Sequence, residues 1–197
     1  MKVVFEIGAN LGMDVEKYLM DPDTVVYAAE PTPDLCYHLW RNFGGSPRFH
    51  LIPAAIDVEN RFNRFNISPS SGCNSLHQFT DNIMEKWPGH DELHFVGHYE
   101  KIMCLRLDTI MDMFNIEKID YLEIDTQGND FNVLKSLGNR IGDVVAGKCE
   151  AFAGDIDLYK SSNRFEEVST WLNDNGFDVT NCPHVHTFET DLHFVKR

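Results

Sequence analysis

The apolar and polar positions of this chain fall into short strand-like runs with helix-like stretches between them. Runs rich in β-branched or aromatic residues, bounded by Gly, Pro, Asp or Asn, predict strands at Val3–Ile7, Val25–Glu30, His50–Ile56, Tyr121–Ile124 and Val144–Cys149. Helices fit between them at Asp14–Met20, Pro33–Asn42, Leu107–Phe114, Asp130–Leu137 and Arg164–Asn175, the last ending at Gly176, a C′ glycine. "FDVTNC" and "DLHFVK" then read as an antiparallel pair around the loop "PHVHTFET". Strand–helix alternation of this kind predicts a doubly wound α/β fold, its sheet mostly parallel and covered on both faces.

The alternation fails between the third strand and Leu107. There "NRFNRFNIS" reads as an extra strand and "PSSGCNSLHQF" as a loop, whereas "TDNIMEKWPGHDELHFVGHYEKI" follows neither period. An irregular insertion of that size, about residues 62–104, predicts a lid or substrate wall. The alternative is a surface excursion that covers a sheet edge.

Composition narrows the picture. With 197 residues, 43% of them hydrophobic, the chain suits one well-packed domain over residues 1–197. No apolar run approaches the roughly 18 residues of a membrane span, and the start lacks a charged-then-apolar signal segment. Met1 runs directly into the strand "KVVFEI", which suggests a domain excised from a longer chain with other enzyme domains. The 5 cysteines are scattered, without a C-x-x-C pair, which argues for reduced thiols in a cytoplasmic setting and against zinc. A formal net charge of -14 with dispersed basic residues repels phosphate backbones, so nucleic acid is disfavoured as a partner. A neutral or cationic small molecule, or an uncharged glycan, fits that field better.

The stretch "VFEIGANLG" carries the first chemistry. In a doubly wound fold the turn after the first strand uses glycine where backbone must approach a nucleotide, here Gly8 and Gly12 around Asn10. A dinucleotide fingerprint would read G-x-G-x-x-G. The loop here lacks the third glycine and carries Glu6 at the strand tip. A carboxylate beneath a pyrophosphate makes poor sense, but beside the ammonium of S-adenosyl-L-methionine it makes good sense. Glu30, at the end of the second strand, stands roughly where an acid about 20 residues on holds a ribose diol. Asp57 follows the third strand, where it could accept the adenine amino group.

These residues resemble a known family. "FEIGANLGMD", "VVYAAEPTPDLCYHLWRNF", "LIPAAIDVEN", "LRLDTIMDMFNIEKIDYLEIDTQGNDFNVLKSLGN" and "FEEVSTWLNDNGFDV" are similar, in order, to the FkbM-type S-adenosylmethionine-dependent methyltransferases. The resemblance implies a Rossmann-like class I methyltransferase fold, a seven-stranded sheet with an antiparallel last strand. The expected cofactor set is Glu6, Gly8, Asn10, Gly12, Glu30 and Asp57, as read above, with Pro31 of the E-P-x-P step. The resemblance also implies O-methylation of hydroxyls on sugars or polyketide-like products. The chain departs from the family at its fourth strand: the usual form is close to K-I-D-V-E-G-x-E, and here "EIDTQGND" puts Glu123 for Lys and Gln127 for the central Glu. Asp125 and Gly128 keep their places. The departure leaves open a non-catalytic scaffold.

Transfer to an alcohol calls for alignment and a general base. Asp125 and Glu150, read as ending strands four and five, should face the crevice at the strands' carboxyl ends. Asp125 is the first candidate base. His184 and His186 alternate in the last hairpin loop, and an imidazole there could serve instead; His77, His90, His94 and His98 are weaker candidates. Asp125 and Glu150 could also hold Mg²⁺, an option the sequence does not favour because no compact D-x-D or D-D pair marks it. Trp87, Phe95, Tyr99 and Tyr159 could stack on the apolar face of a sugar, the expected acceptor.

Overall fold

The computed structural model describes residues 1–81, 83–86, 88–89, 98–153, 157–160, 163–183 and 189–197. Its strands are β1 (Lys2–Ile7), β2 (Thr24–Ala29), β3 (Phe49–Ile52), β4 (Ala55–Ile56), β5 (Arg61–Ile67), β6 (His98–Leu105), β7 (Tyr121–Ile124), β8 (Ala146–Phe152), β9 (Phe177–Pro183) and β10 (Glu189–Lys196). Seven of them form the main sheet in the order β3-β2-β1-β7-β8-β10-β9. All pairings are parallel except those of β10, which runs antiparallel to both β8 and β9. The last strand in the chain is therefore the antiparallel one, as expected.

Helices α1 (Met13–Leu19) and α2 (Pro33–Phe43) cover one face, burying Val15 and Leu39 against Val26, Ala28 and Phe49. Leu107–Met113, Asp130–Lys135 and Phe165–Asp174 cover the other, where Ile110, Leu134 and Leu172 pack on Phe5, Ile7, Leu122 and Ile124. The central strands β1 and β7 are buried on both sides, which explains their near-continuous apolar runs. Strand order reverses between β1 and β7, so their carboxyl ends open the crevice where ligands of such sheets bind.

Three expectations change. His50–Ile56 is not one strand: Pro53, which has no N–H to donate, divides it, and β3 stays in the main sheet while β4 leaves to pair with β6. The part of the insertion ending in "HYEKI" is ordered as β6, which pairs antiparallel with β5 along Arg61–Ile67 and completes a three-stranded sheet β4-β6-β5. Strand β8 runs on to Phe152, because β10 pairs with it as far as Glu189↔Phe152. Glu150 therefore lies inside the strand, opposite Asp191, and does not end it.

Candidate functional site

The turn after β1 is shaped by backbone that only small residues tolerate. Gly8 and Gly12 have φ of 91° and 80°, and Asn10 has φ of 46°. A Cβ on Gly8 would lie 1.9 Å from the Asp125 carbonyl oxygen, and one on Gly12 would strike Leu39 and Phe43 of α2. Gly8 and Ala9 donate to the Ala29 carbonyl at 3.0 and 3.1 Å, which ties the turn to the end of β2.

Glu30 completes that tie. It is buried, and its Oε2 accepts the Asn10 backbone N–H at 3.0 Å while Oε1 accepts that of Thr32 at 2.8 Å. Burial pushes its carboxyl up, and hydrogen bonds from the Thr32 backbone and side chain and the Asn10 backbone pull it back.

Two adjoining cavities open at the switch point, sharing Ile7, Gly8, Asn10 and Asp125. One, of about 530 Å³, has Glu30 and Pro31 on one side, Ala54, Ala55 and Ile56 beneath, and Phe65, Ser71, Gly72, Asn74 and Leu76 of the insertion opposite. Ser71 Oγ donates to Asn10 Oδ1 at 3.0 Å and fastens the insertion to the glycine turn. The other, of about 590 Å³, is lined by Glu6, Asp14, Glu123 and Lys148 with Met13 and Leu11.

Glu6 is 5% exposed, and its Oε2 has no hydrogen-bond partner among the described residues. Burial, then the charges of Asp14, Glu123 and Asp125, push its carboxyl up to about 8, with Lys17 pulling back. Beside it Glu123 is fully engaged: Oε2 accepts from the Tyr18 hydroxyl at 2.5 Å, and Oε1 pairs with Lys148 Nζ at 2.8 Å. Burial opposes the Lys148 charge, but the Glu123 carboxylate outweighs it and raises the ammonium above its ordinary range. The acid that replaces the family's Lys is thus neutralised in place.

Asp125 follows β7 directly. Its side chain opens to solvent at the crevice, although protein crowds it on the remaining sides. That crowding raises its carboxyl; the Gln127 hydrogen bond and Lys148 lower it, and Glu123 and Asp191 add to the rise. Asp130, not anticipated from sequence, is fully buried and stitches the loop to β8, accepting from Thr126 Oγ1 at 2.8 Å and from the Glu150 N–H at 3.0 Å. Burial and Asp125 push it up to about 7.

Other expected site residues stand elsewhere. Asp57 does not line the cleft: it is buried and pairs with Arg61 Nη2 at 3.2 Å. Glu150 is not among the residues that line either cavity, and burial, followed by Asp125 and Asp130, pushes its carboxyl up to about 10. His77 is turned to Asn129 Oδ1 at 2.9 Å, with burial lowering its pKa. His98 is on the outer end of β6 and pairs with Glu100 at 3.6 Å. Tyr159 is a core residue, 2% exposed and stacked on Phe79 at 4.9 Å. Tyr99 is exposed beneath the Arg64 guanidinium, 4.1 Å away. His184, His186, His90, His94, Trp87 and Phe95 lie outside the described residues. Among the described residues there is no group of three or more His, Cys, Asp or Glu able to hold a metal ion.

The FkbM methyltransferase domain model matches residues 6–179, from the acid at the tip of β1 into β9. The chain belongs to the FkbM methyltransferase family. As an FkbM methyltransferase it has the S-adenosylmethionine-dependent enzyme's fold, and solved structures agree. The N-terminal domain of EvdMO1 with S-adenosylhomocysteine bound is 10% identical, with a TM-score of 0.53 over 100% of this chain and 74% of that one. The same domain in the presence of S-adenosylhomocysteine and D-fucose also has a TM-score of 0.53, at 9% identity, covering 100% of this chain and 76% of that one. A chain of the fibrillarin/Nop5p complex has a TM-score of 0.50 at 15% identity, covering 100% of this chain and 73% of that one. These likenesses carry the fold alone. No curated protein matches the chain. No helix among the described residues is long and apolar enough to cross a membrane.

Proposed function

We propose that this FkbM methyltransferase transfers a methyl group to a hydroxyl of a sugar in a glycan or glycoconjugate, with Asp125 as general base. The observation that carries the reading is Asp125 itself, a carboxylate of raised pKa opening into the one crevice that Glu6 and Glu30 flank.

The residues fit S-adenosylmethionine. The orphaned, buried Glu6 Oε2 suits an ammonium, and the Glu30 carboxylate on the cavity wall suits a ribose diol. The wall of Ala54, Ala55, Ile56, Phe65 and Leu76 suits an adenine ring. When bound, the cofactor supplies an electrophilic methyl group on a sulfonium.

An alcohol is a weak nucleophile and must lose its proton as the new oxygen–carbon bond forms. Asp125 Oδ1 is held by Gln127, so Oδ2 is the oxygen offered to that proton. A carboxyl raised above its ordinary value is a stronger base than an ordinary aspartate.

A neutral acceptor suits the charge of -14. The EvdMO1 domain solved in the presence of D-fucose is a fold-level precedent for a sugar. Free thiols at Cys36, Cys73, Cys104 and Cys149 suit a cytoplasmic setting.

The test is methyl transfer from isotope-labelled S-adenosylmethionine to a panel of methyl glycosides, read by mass spectrometry. The expected result is one labelled methyl per sugar, lost in Asp125→Asn. Labelling of non-sugar alcohols alone would move the acceptor to a polyketide or other small product. No labelling, with donor binding intact, would favour a scaffold.

A further inference from the structure

We propose that Gln127 is a positioning residue for Asp125, its amide locked by the Tyr159 hydroxyl so that only the N–H edge faces the carboxylate. The inference rests on the reading of Asp125 as the proton acceptor.

Three contacts fix the geometry. Gln127 Nε2 donates to Asp125 Oδ1 at 2.8 Å, and the Tyr159 hydroxyl donates to Gln127 Oε1 at 2.9 Å. Ser75 Oγ donates to the Gln127 carbonyl at 2.6 Å, so the insertion grips the backbone too. Gln127 holds φ of 54°, a left-handed conformation a non-glycine residue adopts at a cost. The loop rests on the ring that supplies the hydroxyl: a Cβ on Gly128 would lie 3.0 Å from Tyr159 Cδ2.

A rotated amide would turn its oxygen toward the Asp125 carboxylate, acceptor against acceptor. The Tyr159 hydroxyl opposes that rotation by keeping Oε1 engaged, and the buried, Phe79-stacked ring has little freedom to follow. The chain Tyr159–Gln127–Asp125 thus holds Oδ1 in a fixed donor contact and leaves Oδ2 for substrate. An amide does this without charge or titration. A glutamate at 127 would put two carboxylates within hydrogen-bond reach, and such pairs share a proton.

Asp125 already stands in a crowded field. Glu6 faces it from β1, Glu123 from β7, Lys148 and Glu150 from β8, and Asp191 from β10, with Asp130, Cys73 and Tyr159 from the surrounding loops and helix. Only Lys148 among these is cationic, so a neutral donor at 127 limits how far the carboxyl rises.

The test is a carboxyl ¹³C NMR titration of Asp125 in the full chain, without donor or acceptor, for wild type, Gln127→Glu and Tyr159→Phe. Gln127→Glu is expected to raise the Asp125 midpoint by about one pH unit or more. Tyr159→Phe, which keeps the ring, is expected to raise it less, by freeing the amide to turn. A midpoint unmoved in Tyr159→Phe would overturn the proposal, whatever Gln127→Glu does. If Gln127→Glu fails to fold, Tyr159→Phe alone decides in the same way. Failure of the methyltransferase reading would show separately, as Asp125→Asn enzyme with undiminished methyl transfer.

Discussion

Glu30 Oε2 accepts the backbone N–H of Asn10 at 3.0 Å, so one carboxylate joins the glycine turn after β1 to the start of α2. The acid is at once a structural latch and the candidate ribose ligand. Glu30→Ala is expected to weaken S-adenosylhomocysteine binding by about 1.5–3 kcal/mol, the range for hydrogen bonds to a charged group. It should also lower the melting temperature, because two backbone N–H groups lose their acceptor. Calorimetry with thermal melts checks both, and unchanged affinity would place the ribose elsewhere.

Asp125→Asn keeps the shape and the Gln127 neighbour but removes the base. Turnover is expected to fall by about 100-fold or more, the scale of general-base effects, with donor affinity retained. Steady-state kinetics alongside a binding titration separates the two. Near-normal turnover would hand the role to another group, with His184 and His186 next in line.

Gly8→Ala puts a Cβ against the Asp125 carbonyl and strains a φ of 91°. The strain alone costs about 1–3 kcal/mol, and the 1.9 Å approach adds to it. A chemical denaturation midpoint well below wild type is expected, along with loss of donor binding. A wild-type midpoint would mean the turn relaxes freely.

Stability should depend on pH in a defined direction. Glu6 rises from 4.5 to about 8, Asp130 from 3.8 to about 7 and Glu150 from 4.5 to about 10. Between the ordinary carboxylate range and those values the folded state binds more protons than the unfolded chain, so stability falls as pH rises. Thermal melts at pH 5.5 and 8.5 check the sign: the higher temperature is expected at pH 5.5. A higher melting temperature at pH 8.5 would show the acids ionised and paired in the folded protein.

Much of the fold was legible because local signals and global topology agree. Gly176, with φ of 89°, ends the helix it was expected to end, and Glu30 lies at the close of β2 where the strand pattern put it. What escaped depends on distant partners. β6 is a strand because β5 pairs with it across more than thirty residues, and its first half is exposed, which hides the period. Asp57 reads as a free strand-end acid until Arg61 is seen beside it. Gln127 reads as a lost glutamate; its role needs Tyr159, thirty-two residues on, to come within 2.9 Å.

The most direct test of the site is a calorimetric titration of the wild-type chain with S-adenosylhomocysteine, repeated with Glu30→Ala and with NADH as control ligand. Micromolar binding of S-adenosylhomocysteine, weakened in Glu30→Ala, and none of NADH is the expected result. No binding to the wild type, or equal binding in Glu30→Ala, would contradict the placement of the cofactor over the turn from Glu6 to Gly12.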